Sequence, residues 1–386
     1  MWLFSRSVSV VAVCIFVLPQ FVAQAQTGAQ ESPSLGEIAR QNRKNAQPST
    51  ATRPEVKQTI ADLTAASEDQ SNEDQYKREM QELLSQKKFT ALDKAAQEAR
   101  STKARFPGGI WKLYAFYDAV TSPSVADSAS EAEWTAHIGT VKNWVAAQPQ
   151  SITARVTLSQ AYFNWGWNAR GKGFADTVTQ RGASLMDERV EQARITLMGA
   201  AGLPEKCPYW FEAMQHVALA QGWDKSRARA LLDQAVSFEP GFYHFYREYV
   251  NFLLPRWYGQ EGEAEAFVNE VSSQAGGPEG AFLYFELATV INCHCDSDRS
   301  HIGRISWDKI KLGYAALEQL YGTSSLKMNR FAYMAYLAGD NAAARDVLAK
   351  IGTNWDPKTW GTRQRFDNAQ MWATSNTPQM QVMPSK

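Results

Sequence analysis

Lys225–Pro240, KSRARALLDQAVSFEP, places Ala228, Leu231, Leu232 and Ala235 at intervals of three, four and seven and then stops at Pro240-Gly241. Those intervals put the four apolar side chains on one face of a helix, and the Pro-Gly pair cannot continue it. Working outward, the same spacing recurs at Ala264, Phe267, Val268 and Val271 and again at Ala344, Val347, Leu348 and Ile351. Toward the N-terminus it appears at Phe89, Leu92, Ala96 and Ala99, and at Trp134, Ile138, Val141 and Val145. Breaks fall at Pro107-Gly108-Gly109, at Pro149 and at Gly276-Gly277-Pro278. Useful runs of strict alternation are absent, so the chain is all-α.

These helices come as short antiparallel pairs, and the pairs resemble tetratricopeptide repeats. Leu158, Ser159, Tyr162 and Gly166 look like a first helix of that repeat, and Ala228, Leu232, Ala235 and Pro240 like a second. Phe331 to Ile351, FAYMAYLAGDNAAARDVLAKI, reproduces most of one unit. No unit has the leading Trp in place, and Gly171 to Gly182 interrupts one pair. Ala and Gly at these spacings let two helices approach closely, while larger side chains fill the space between pairs. The expected fold is therefore a TPR-like, α-solenoid-like stack of helical hairpins over 72–373, with a concave groove.

Three stretches go further: WNARGKGFADTV at 167–178, CPYW at 207–210 with QGWD at 221–224, and LPRWYG at 254–259. Together they resemble a bacterial family of exported, TPR-like proteins known only as a domain of unknown function, over roughly 88–280. The resemblance implies a helical, exported protein and brings no catalytic residue and no cofactor.

The 386 residues hold 40 Lys+Arg against 40 Asp+Glu, with 44% hydrophobic and 21% charged residues. Enough apolar surface is present to repay the ordering entropy, which argues against a disordered chain. The neutral balance argues against a nucleic-acid partner. Arg6, the apolar run Val8–Leu18 and Ala23-Gln24-Ala25 form a secretory signal over 1–25. Pro19-Gln20 cuts that run short of the ~20 residues a spanning helix needs, so the mature chain is expected to lack a transmembrane segment and to be periplasmic or extracellular. Residues 26–71 are polar and read as a disordered leader, and 374–386 as a disordered tail.

Trp167, Arg170, Asp176, Arg256 and Trp257 form the candidate binding set, because Arg stacks on Trp and pairs bidentately with carboxylates. The competing account is that Arg170 and Asp176 tie down the insert while the Trp residues are core. Phe242, Tyr243, Phe245, Tyr246 and Tyr249 cover more than one helix face, so some could stand exposed as a platform for sugar or peptide; a wide core is the other account. Cys293, Cys295 and His301 are weak metal candidates that lack a second matched pair. In an oxidising compartment Cys207, Cys293 and Cys295 are instead disulfide candidates, and one of the three must be left over. Phosphate-loop, dinucleotide and hydrolase motifs are missing, and Asp176 or Glu212 as an acid of a glycan hydrolase has no positive support. The expectation is a non-catalytic binding or scaffold protein for a protein or peptide partner. The alternatives are an envelope carbohydrate protein and a Cys-based metal or redox site.

Overall fold

A computed structural model describes residues 60–124, 128–171, 173, 177–292 and 304–375, with no account of the side chains of 60–71. Among the described residues there are sixteen α-helices and one two-stranded ribbon, and packed helix pairs make a helical-hairpin stack. The helices are α1 (Ile60–Ser85), α2 (Phe89–Thr102), α3 (Lys112–Val120), α4 (Glu131–Ala147), α5 (Ile152–Arg170) and α6 (Gln180–Ala200). They continue with α7 (Pro208–Ala220), α8 (Lys225–Phe238), α9 (His244–Phe252), α10 (Glu263–Ala275) and α11 (Gly277–Ile291). The last are α12 (Trp307–Tyr321), α13 (Ser325–Ala338), α14 (Asn341–Ile351), α15 (Pro357–Trp360) and α16 (Arg363–Thr374). None of them is long and apolar enough to cross a membrane.

Helix starts follow local chemistry. Ser130 and Glu133 form a reciprocal capping box at α4, while Ser151, Thr179, Asp224, Ser306, Ser324 and Asp340 accept from the first-turn backbone of their helices. Each satisfies a backbone N–H that the helix itself leaves without a partner. The apolar stripes then face inward: Ala228, Leu231, Leu232 and Ala235 are all buried, as are Ala264, Phe267, Val268 and Val271. The close approach that small residues permit is visible where α12 crosses α11. A Cβ at Gly313 would stand 2.3 Å from the Ala281 carbonyl oxygen and 2.7 Å from Phe285 Cβ.

The first helix begins at Ile60, and one feature differs from the sequence-based expectation. Arg105–Phe106 pairs antiparallel with Ile110–Trp111 across the Pro107–Gly109 turn, where only a break was expected. Gly108, with φ of 79°, makes that reversal and donates from its backbone to the Gly322 carbonyl at the end of α12. Phe242, Tyr243, Phe245, Tyr246 and Tyr249 are all buried, so of the two accounts of these aromatics the structure shows the wide core. Phe242 and Phe245 pack on each other and on Trp111 and Phe211, which occupies the second face of α9.

The stack also curves back on itself. Helix α1 packs against α2 and α3 and also against α13, and the Pro107–Gly109 turn sits against both α1 and α12. Residues distant in sequence therefore wall one interior space.

Candidate functional site

That space is a cavity of about 470 Å³ whose walls come from α1, α3, α9, α11, α13 and α15. Its floor is set by one carboxylate in an apolar helix. Phe282, Leu283, Tyr284, Phe285, Leu287 and Ala288 of α11 are buried core, and Glu286 lies among them with 0% exposure. Lys327 of α13, itself 2% exposed, ion-pairs with one oxygen of Glu286. Arg247 of α9 reaches the other at 3.2 Å and also donates to the Glu286 carbonyl at 2.5 Å and to Thr289 Oγ1 at 2.8 Å. Arg330, one turn on from Lys327, lines the same space and shares the Glu286 field at longer range.

Three cations around one carboxylate leave positive charge uncompensated. Burial would raise the Glu286 carboxyl, yet Lys327, Arg247 and Arg330 hold it below its ordinary value. Burial pulls the Lys327 ammonium down to about 7; Glu286 opposes that fall, and Arg330 and Arg247 add to it. Arg330 is lowered by burial and by Arg247. At the other wall one cation meets two carboxylates, a net charge of minus one: Lys77 sits 2.7 Å from Glu73 and 2.8 Å from Asp118. Asp356 is occupied in capping α15, Arg256 lines the space while donating to Asn251, and the exposed Lys358 adds further positive charge to the lining.

The sequence-expected binding set divides. Trp167 meets Trp257 edge to face at 5.9 Å, and the Arg170 guanidinium lies 5.0 Å from the Trp167 ring. Arg170 donates through Nη1 to the carbonyls of Gly171 and Gly173, at 3.2 and 3.0 Å, so it holds the loop that follows α5. Asp176, its expected counterpart, lies outside the described residues. Trp165 has a different arginine: Arg189 of α6 stacks 3.5 Å from its ring and ion-pairs with Glu131. Of the four expected residues that are described, Arg256 alone lines the cavity.

The remaining motif residues make turns. Cys207 precedes α7, Pro208 begins it, and Trp210 donates to the Leu197 carbonyl. In the Leu254–Gly259 turn a Cβ at Gly259 would fall 1.7 Å from the Leu253 carbonyl oxygen, so only glycine fits. Cys207 is a buried free thiol 3.3 Å from the Tyr117 hydroxyl. Cys293, Cys295 and His301 lie outside the described residues.

Residues 76–204 match the family model described as a domain of unknown function (DUF4034). The match takes in the 167–178 stretch and ends before the 207–210 and 254–259 stretches. No curated protein and no solved structure matches the chain.

Sequence reasoning missed Glu286, Lys327, Arg330 and Arg247. Glu286 had a readable signal, since it is the single acid in the apolar run FLYFELATVI at 282–291, and a charge there must be paired inside the core. Its partners carry no local signal, because α9 and α13 are joined to α11 only by the fold.

Proposed function

We propose that this chain is an exported, non-catalytic binding or scaffold protein whose cavity receives an anionic group of a peptide or protein partner. The observation that carries the reading is the sharing of the Glu286 carboxylate by Lys327, Arg247 and Arg330. A carboxylate entering this space meets donors already held in place and already stripped of most of their water, which reduces the cost of ordering them on binding. Arginine forks suit such a group because they pair with it bidentately. Lys358 extends the same sign of charge along the lining, which favours an acidic segment over a lone carboxylate. Export rests on residues 1–25 and localises the partner to the periplasm or the cell exterior.

The test uses the full chain as bait in a native envelope extract, beside its Arg330→Ala variant. A protein partner retained by the parent and lost by the variant, with release by added salt, supports the reading. A partner retained equally by both removes the cavity from the interaction.

A further inference from the structure

Behind the cavity wall, α7 and α9 face each other with two mirrored pairs of side chains. Helix α7 carries Glu212 and His216 and α9 carries His244 and Glu248, each pair one turn apart and so on one helix face. Glu212 Oε1 stands 4.0 Å from His244 Nδ1, and His216 Nε2 stands 3.3 Å from Glu248 Oε2. Donor atoms of Glu212, His216 and Glu248 all lie within 4.8 Å of one another. Glu212 is 1% exposed, and its Oε2 has no hydrogen-bond partner. A buried carboxylate oxygen without a donor needs a proton or a cation.

We propose that Glu212, His216 and Glu248 bind a divalent transition-metal cation of the zinc class.

The tautomer of His216 supports the assignment. Asn164 Nδ2 donates to Ser122 Oγ and to the Thr121 carbonyl, which turns its Oδ1 toward Gln160 Nε2, 2.9 Å away. Gln160 Oε1 is thereby left to accept from His216 Nδ1 at 2.9 Å. Nδ1 is thereby held as a donor to Gln160, and Nε2 is the ring atom that faces Glu248 and Glu212 and is placed to bind an ion. Metal-bound imidazoles are oriented by this kind of outer hydrogen bond, and Phe163, stacked 5.0 Å away on the ring, fixes its plane.

Donor chemistry selects the ion. One imidazole and two carboxylates suit zinc, manganese or iron(II), and the nitrogen donor disfavours calcium and magnesium. Three donors at about 2.0–2.2 Å from a tetrahedral ion leave a fourth position. Arg247, whose charge is felt by both Glu212 and Glu248, donates through Nη1 to Glu286 and Thr289. His244 stands between the cavity, which it lines, and Glu212, stacked on the rings of Tyr114 at 3.9 Å and Tyr243 at 4.4 Å. The sequence contains this pattern as Glu-x3-His followed by His-x3-Glu, well away from the Cys293 to His301 stretch.

The experiment strips the full chain with a chelator and titrates it with Zn²⁺ by calorimetry and with Co²⁺ by visible absorption. One equivalent per chain is expected, with the ligand-field bands of a nitrogen- and oxygen-bound ion. Glu212→Gln and His216→Gln should each weaken binding by at least about tenfold, and Gln160→Ala by about 10- to 100-fold; circular dichroism checks that all three variants fold. Absence of a bound equivalent in the parent overturns the proposal. So does an equivalent bound as tightly by the folded Glu212→Gln and His216→Gln variants.

Discussion

The Trp167 cluster and the Glu286 cavity both place arginine against aromatic and acidic side chains, yet the charges end in opposite conditions. Around Trp167, Arg170 gives its hydrogens to two loop carbonyls and its face to an indole. Around Trp165, Arg189 is matched by Glu131. Among the described residues these contacts tie the cluster to the end of α5. Around Glu286, one carboxylate serves three buried or half-buried cations beside open space. The contrast teaches that an Arg–Trp motif in a sequence marks order, whereas binding capacity follows from charge the fold leaves unbalanced.

The largest effect should come from taking the acid out of the cavity. Glu286→Gln leaves the cations facing one another, and removing one member of a buried ion pair costs roughly 3–5 kcal/mol. Urea unfolding should show a loss near the low end, since Lys327 can shed its proton, and added sulfate should restore part of it by binding the native state. Next is Trp167→Ala, which removes a half-buried ring from Phe163 and Trp257. We expect a loss of about 2–3 kcal/mol, below that of a fully buried Trp, with peptide affinity kept within about twofold.

Smaller when read per pH unit is a pH effect confined to the cavity. Lys327 is lowered to about 7 by burial, with Arg330 and Arg247 adding and Glu286 opposing, and its ammonium lies 5.8 Å from the Tyr243 ring. Between that value and the usual lysine range near 10.4, the unfolded chain holds the proton that the folded chain has lost. Stability therefore rises with pH across this window, by up to about 1.4 kcal/mol per unit. Unfolding at a series of pH values should show that slope, and Lys327→Met should flatten it. The smallest effect belongs to Arg170→Ala, which should change neither stability nor partner binding by more than about 1 kcal/mol. Loss of binding there would break the comparison.

Legibility in the sequence followed the range of the cause. Helices were readable because Ala344, Val347, Leu348 and Ile351 repeat within a few residues, and all four are buried. Loop glycines were readable as breaks, though not the ribbon that Gly108 allows. The cavity was not readable, because Lys77, Arg247, Glu286 and Lys327 lie on four helices that meet only after α1 has packed against α13. Arg256 was singled out for its neighbour Trp257, yet the two side chains divide, one lining the cavity and the other packing on Trp167. Glu212 and His216 were visible as residues, but their pairing with Glu248 needed the facing of α7 and α9.

The most direct measurement is calorimetric titration of a glutamate-rich peptide into the full chain and its Arg330→Ala and Arg170→Ala variants, at about pH 6 and about pH 8.5. The account predicts one saturable site that weakens as pH rises, because an incoming carboxylate favours the protonated form of Lys327. It also predicts a loss of at least about tenfold in Arg330→Ala and parental affinity in Arg170→Ala. An absence of binding, or binding lost in Arg170→Ala and kept in Arg330→Ala, would contradict it.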